Sequence, residues 1–235
     1  MEIWKAIVIA IVQGFTEWFP VSSKGHLILV ERILGFSGGL DFDVVLHLGT
    51  LMAVFVYFGK DIVDITKALA TGKFRSDEGK LGIYDLFVLA IGFAVTGVLL
   101  LISSFNYSSK KSLSNFGSGR AFLVGMAQVF ALFPGISRSG TTISAGLLAG
   151  LKEQDALRFS FLMSIPVIFG ANVLVLGNEK IPVDYLAPML VSFVVGLIAI
   201  HLLYKKVLTH KKNLRWFAAY ALVLAIGLFI FLFSQ

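Results

Sequence analysis

Four stretches of this chain, 84–105, 159–177, 183–204 and 216–234, are apolar over the length that a helix needs to cross a bilayer, about 20 residues. Nothing else in the sequence restricts the fold as strongly. The composition agrees: 57% of the 235 residues are hydrophobic, only 14% are charged, and the mean hydropathy is +0.87. A soluble domain carries about 25% charged residues. The chain is therefore expected to be an all-α polytopic membrane protein forming a single membrane domain over 1–235. With no cysteine, disulfide and thiolate chemistry are excluded. The net charge of +6 does not call for nucleic acid, because Lys and Arg gather in the cytoplasmic loops of membrane proteins.

Segment 205–215 holds Lys205, Lys206, Lys211, Lys212 and Arg215 without an acid, and is expected to be such a loop. The C-terminus and the turn at 178–183 then lie outside. Segments 60–83 and 106–120 are both basic, yet the single span 84–105 separates them, so the charge rule leaves the first half's orientation open. The N-terminal run 3–16 leads into Gln13, Glu17, Phe19 and Pro20 rather than a small-residue cleavage site, so it reads as retained structure and not a signal peptide.

Two polar turns interrupt this apolar background. The first is Phe19-Pro20-Val21-Ser22-Ser23-Lys24-Gly25-His26; the second is Phe133-Pro134-Gly135-Ile136-Ser137-Arg138-Ser139-Gly140-Thr141-Thr142. Each lies between apolar runs too short to span: 3–16 and 27–36 around the first, 121–133 and 143–151 around the second. Each set reads as a re-entrant helix-turn-helix hairpin, tolerated in a membrane where protein or a water-filled cavity surrounds it. Polar groups at such depth are kept mainly for function.

The residue types suit a phosphate. Pro20 stops one helix, and Ser22 or Ser23 is a natural N-cap for the next. The uncapped N–H groups at such a helix start attract anions. Ser23 and His26 are three apart and can share a helix face, which is the minimum for an activated nucleophile. His26 could also attack phosphorus itself or protonate the leaving group. Lys24 adds a cation at the rim. Glu17 follows Gln13 by four residues on one helix face. Glu17 could be a metal ligand, a general acid–base or an orienter of His26. A Gln13–Glu17 pair would suit Mg²⁺ or Ca²⁺, which take oxygen ligands and substrate phosphates. In the second turn the Arg138 guanidinium offers a planar fork for phosphate oxygens. Ser137, Ser139, Thr141 and Thr142 add hydroxyls. Each feature alone has a plain structural reading, as a cap, a packed histidine or a snorkelling arginine; the set together does not. His47, His201 and His210 receive no role. The third helix is expected over 44–59, and Asp41 and Asp43 read as an acid pair just before it that favours its dipole.

The halves also resemble each other. Gln13-Gly14-Phe15 pairs with Gln128-Val129-Phe130. Phe42-Asp43-Val44-Val45-Leu46-His47-Leu48-Gly49 pairs with Phe159-Ser160-Phe161-Leu162-Met163-Ser164-Ile165-Pro166, a helix-breaker closing both. Repeats of about 1–105 and 119–235 are expected, in the manner of membrane proteins whose broken helices point at a central site.

The stretch Gln13-Gly14-Phe15-Thr16-Glu17-Trp18-Phe19-Pro20-Val21-Ser22-Ser23-Lys24-Gly25-His26-Leu27 resembles the first signature of undecaprenyl-diphosphate phosphatases of the bacitracin-resistance type. Pro134 to Thr142 resembles the second, and the context 159–166 fits as well. The resemblance implies an inverted repeat with two re-entrant hairpins. It also implies a cell-membrane location, a site open to the outer face, and hydrolysis of a C55-type polyprenyl diphosphate to the monophosphate carrier lipid. It carries over Glu17, Ser23, His26 and Arg138 as catalytic, and Gln13, Ser22, Lys24, Ser137, Ser139 and Thr142 as substrate-binding. Mg²⁺ or Ca²⁺ is the implied cofactor, for which the residues themselves offer Glu17 and Gln13 as candidate ligands. The implied partners are the lipid substrate and the bilayer, and a homodimer is compatible with it. The chain departs from the pattern in being shorter around 60–84, where a whole helix is expected to be lacking. It also has Lys24 where Thr is common and His47 where Gln is common. A flippase or transporter of a phosphorylated polyprenyl lipid is the alternative, since repeats and a midplane anion site fit it equally; the discriminator is that transport needs the cation but not Ser23, His26 and Glu17 together. A structural subunit would leave Arg138 unexplained.

Overall fold

The computed structural model of the chain describes residues 2–36, 38–57, 83–105, 111–176, 181–207 and 210–233. The charged segment and the missing helix expected at 60–84 lie outside these residues but for positions 83 and 84. Part of the segment 106–120 and of the turn 178–183 lies outside as well.

Nine α-helices occur among the described residues. They are α1 (Ile3–Thr16), α2 (Ser23–Leu34), α3 (Gly39–Tyr57), α4 (Ile83–Ser104), α5 (Ser118–Val129), α6 (Arg138–Leu148), α7 (Glu153–Leu176), α8 (Leu186–Leu202) and α9 (Leu214–Phe233). Extended pairing among them is limited to one isolated bridge, Lys111 with Leu151. Four helical segments are long and apolar enough to cross a membrane: Phe87–Ser104, Glu153–Val173, Val183–Lys205 and Leu214–Phe233. The protein is an all-α polytopic membrane protein. Many large apolar side chains on these helices are exposed, among them Ile102, Phe169, Val194, Val223 and Ile230, as lipid-facing surface requires.

The expected spans match α4, α7, α8 and α9, but several helix starts differ. α3 begins at Gly39, not at 44, so Asp41 lies within its first turn rather than before it. α7 begins at Glu153, not at 159, with Glu153 and Asp155 in its first turn. Acids there are stabilised by the helix dipole, so polar residues that read as loop are helical. The expected helix-breakers break nothing. Gly49 lies inside α3 and Pro166 inside α7. Gly49 instead gives room: a Cβ there would run into the backbone carbonyl of Met189.

Contacts divide the chain into two compact units. The first takes its described residues from 1–18, 26–79 and 161–201. Its core gathers Ala6, Ile9, Ala10, Leu27, Phe42 and Leu46, flanked by Phe36, Tyr185 and Val191. Small residues let helices approach closely, as is usual in membranes. A Cβ on Gly14 would lie 2.9 Å from the Ser192 carbonyl oxygen. The Ser192 hydroxyl donates to the Leu46 carbonyl at 2.9 Å, tying α8 to α3.

The second unit takes its described residues from 19–25, 80–160 and 202–235. Here α4 is the central element, packed along α9 and against α6. Gly97 of α4 faces Leu222 and the Ala218 carbonyl of α9. Ser103 and Ser144 join α4 to α6 through their hydroxyls at 3.1 Å. At the end of α4 the Arg215 guanidinium donates to the Ser104 hydroxyl and lies 4.3 Å from the Phe105 ring centroid.

Candidate active site

Both polar turns, apart from His26, belong to the second unit, and they are built alike. Ser22 precedes α2, and its hydroxyl accepts from the Gly25 N–H at 3.4 Å. Ser137 precedes α6, and its hydroxyl accepts from the Gly140 N–H at 3.0 Å. Each serine therefore satisfies a donor three residues into its helix, as an N-cap does. Of the two serines the sequence offered for the first cap, Ser22 is the one that serves. That leaves Ser23 as the first residue of α2 and Arg138 as the first residue of α6. Ser22 also holds φ = 65°, the left-handed region that a residue with a Cβ seldom enters. Such backbone strain collects at functional sites.

The turns meet. The Ser139 hydroxyl donates to the Phe19 carbonyl at 2.9 Å. α4 supports both of them. The Phe93 ring sits where a Cβ on Gly25 would lie 2.6 Å away. The Thr96 hydroxyl accepts from the Ser137 N–H at 2.9 Å and donates to the Gly135 carbonyl at 3.3 Å. Gly135 needs to be glycine twice over: its φ is 85°, and a Cβ would press on the Leu89 carbonyl.

The remaining predicted residues of this unit take clear positions. Arg138 Nη1 points to the Ser160 carbonyl at 3.5 Å. The Thr142 hydroxyl lies 2.8 Å from the Arg138 carbonyl and 2.6 Å from the Ser160 hydroxyl. It holds the first turn of α6 to α7. Ser137 and Ser139 are buried and 3.2 Å apart through their hydroxyls, while Lys24 is exposed. Thr96 and Ser160 were not singled out from sequence. The one signal available for Thr96 was a hydroxyl in a span otherwise apolar, and its partner lies 41 residues away. Replacing Thr96 by the near-isosteric Val strands the buried Ser137 N–H. It is expected to cost about 1–3 kcal/mol, read as a lower thermal unfolding midpoint in detergent.

The acid belongs to the first unit. Glu17 caps the C-terminus of α1. Its Oε2 accepts from Gln13 Nε2 at 3.1 Å and lies 3.4 Å from His47 Nε2. Glu17 and Gln13 are buried. The adjoining Trp18 packs edge-on against Phe161, with ring centroids 5.1 Å apart. Gln13 Oε1 is buried without a hydrogen-bond partner among the described residues. No group of three or more His, Asp or Glu able to hold a metal occurs among those residues. An oxygen left over beside a carboxylate fits a hard cation that takes its other ligands from phosphate and water. His26, in α2 directly after Gly25, is half-buried.

The family profile described as bacitracin resistance protein BacA matches residues 6–85 and 82–227. The chain belongs to that family. Among relatives, the BacA-family chain is 38% identical to the undecaprenyl-diphosphatase of Korarchaeum cryptofilum, covering 97% of this chain and 98% of the relative. It is 39% identical to that of Trichlorobacter lovleyi, covering 97% and 96%. It is 35% identical to that of Mycobacterium leprae (strain Br4923), covering 99% and 95%. These alignments run over 260, 263 and 271 positions against 235 residues in this chain. The relatives therefore carry residues that this BacA-family chain lacks, and the profile match changes over at 82–85.

Proposed function

We propose that the protein hydrolyses undecaprenyl diphosphate to undecaprenyl phosphate and inorganic phosphate, returning the carrier lipid to cell-wall or glycan synthesis. The full-length likeness to relatives named undecaprenyl-diphosphatase supports the substrate. The observation that carries the chemistry is the contact of Ser139 with Phe19, which brings two helix starts, Arg138 and the Ser22–Ser23 pair into one unit.

In this reading Arg138 and the N-termini of α2 and α6 bind the diphosphate oxygens, with Lys24 and the Ser137 hydroxyl contributing donors, while Ser139, whose one hydrogen goes to the Phe19 carbonyl, holds the two turns together beside them. The nucleophile is Ser23 with His26 as base, or His26 itself. Attack forms a bond to the terminal phosphorus as its bond to the bridging oxygen breaks. The electron pair leaves on undecaprenyl phosphate, and water then hydrolyses the phosphoenzyme. The chain places Glu17 and His26 just before and just after the segment 19–25. Gln13 Oε1 and the Glu17 carboxylate would hold Mg²⁺ or Ca²⁺, which supplies positive charge to phosphate oxygens. Positioning and charge stabilisation provide most of the acceleration, as in phosphoryl transfer generally. The helix pairs α1–α2 and α5–α6 act as re-entrant hairpins of an inverted repeat in the cell membrane, and the site opens to the outer face.

Purified protein is expected to release inorganic phosphate from farnesyl or undecaprenyl diphosphate with Mg²⁺ present, and to lose that activity on chelation. Release no faster than in a protein-free control would sink the enzyme reading in favour of transport. Release unaffected by chelation would remove the cation from it.

A further inference from the structure

We propose that His47 is a positioning residue for Glu17, an inference that rests on the diphosphatase reading above. His47 lies on α3, one helical turn beyond Asp43, and its two ring nitrogens engage different partners. Nδ1 is 2.8 Å from the Asp43 backbone carbonyl. A carbonyl only accepts, so Nδ1 carries the hydrogen of that bond, and the bond fixes the plane of the ring. Nε2 is then directed at Glu17 Oε2, 3.4 Å away, and donates to it when both ring nitrogens carry a hydrogen.

Glu17 needs this support because of where it sits. It caps α1, at the end of a helix where the backbone is least restrained. Gln13, which donates to the same oxygen at 3.1 Å, is on α1 itself and moves wherever α1 moves. His47 comes from a different helix and refers the carboxylate to α3. Fixing Oε2 from two directions fixes the carboxylate plane, and with it the direction of Oε1. At 3.4 Å the contact is longer than a firm N–H···O bond, which suits a group that orients its partner. His47 is assigned no contact with the substrate, so its effect belongs in turnover rather than in binding.

Two amides separate the ring's two contacts. Asn at 47 can reproduce Nδ1 and its bond to Asp43 but is too short to reach Glu17. Gln can present an amide nitrogen near the position of Nε2. His47→Asn is expected to lower kcat for phosphate release about 10–100-fold, the usual range for residues that orient an active-site ligand, with KM little changed. His47→Gln is expected to keep most of the wild-type kcat. Equal activities of the two variants, or a loss carried by KM, would overturn the assignment. An inactive wild type would count against the diphosphatase reading instead. A thermal-unfolding double-mutant cycle of Glu17→Gln with His47→Asn needs no substrate. Non-additive midpoint shifts are expected, and additive shifts would overturn the contact whatever the activity.

Discussion

Arg138→Ala is expected to lower kcat/KM for undecaprenyl diphosphate by about 10³-fold or more, the range seen when an arginine that meets transferred phosphate is removed. The reason lies in the construction of the second turn. Ser137 takes the capping role through Gly140 and is itself held by Thr96. This leaves Arg138 at the first position of α6, where its guanidinium adds a full charge to the positive end of the helix. Its contact with the Ser160 carbonyl at 3.5 Å aims the side chain. Arg138→Lys keeps the charge but not the fork that binds two phosphate oxygens at once, so most of the loss is expected to remain. Steady-state phosphate release against lipid diphosphate concentration measures both. Full activity in the Lys variant would show that charge alone matters there, and full activity in the Ala variant would remove Arg138 from the site.

The contrast between Ser22 and Thr96 shows what the sequence could disclose. Ser137 and Ser22 cap through a donor three residues ahead; the Ser22–Ser23 pair made the first cap legible from local spacing, whereas Ser137 was read only as a hydroxyl donor. The long spans were legible for the same reason, because a run of apolar residues specifies a membrane helix without reference to the rest of the chain. Helix starts were read late where the first turn carries acids, as at Asp41, Glu153 and Asp155. Those residues look like loop but are stabilised by the dipole they begin. Gly49 and Pro166 looked like breaks and are not. In α3 the missing side chain admits the Met189 carbonyl, and in α7 the ring forfeits one backbone bond within a 24-residue helix. Thr96, Ser160 and His47 were beyond sequence reasoning because their partners are distant in the chain or on another helix. A hydroxyl or imidazole on an apolar helix announces that it needs a partner, but not which one.

The largest losses are expected at Ser23 and His26, and how those losses combine identifies the nucleophile's partner. Ser23 is the first residue of α2 and His26 stands three residues on, the spacing at which two side chains share one helix face. Ser22 supplies the cap through Gly25, so Ser23→Ala removes a hydroxyl without removing the N-cap. The helix should survive, and unfolding midpoints near wild type would confirm it. If Ser23 attacks and His26 accepts its proton, either alanine variant is expected to lower kcat by about 10⁴-fold or more, and the double variant by little beyond either single one. Groups that act as a unit are strongly non-additive. If His26 itself attacks phosphorus, His26→Ala alone abolishes turnover, while Ser23→Ala loses only the hydroxyl's share of binding and orientation. A phosphoenzyme trapped from the lipid diphosphate by rapid quench distinguishes the cases directly. Phosphoserine is stable to acid and phosphohistidine is not, so acid stability of the trapped label names the attacking atom. Wild-type turnover retained in both single variants would exclude Ser23 and His26 alike.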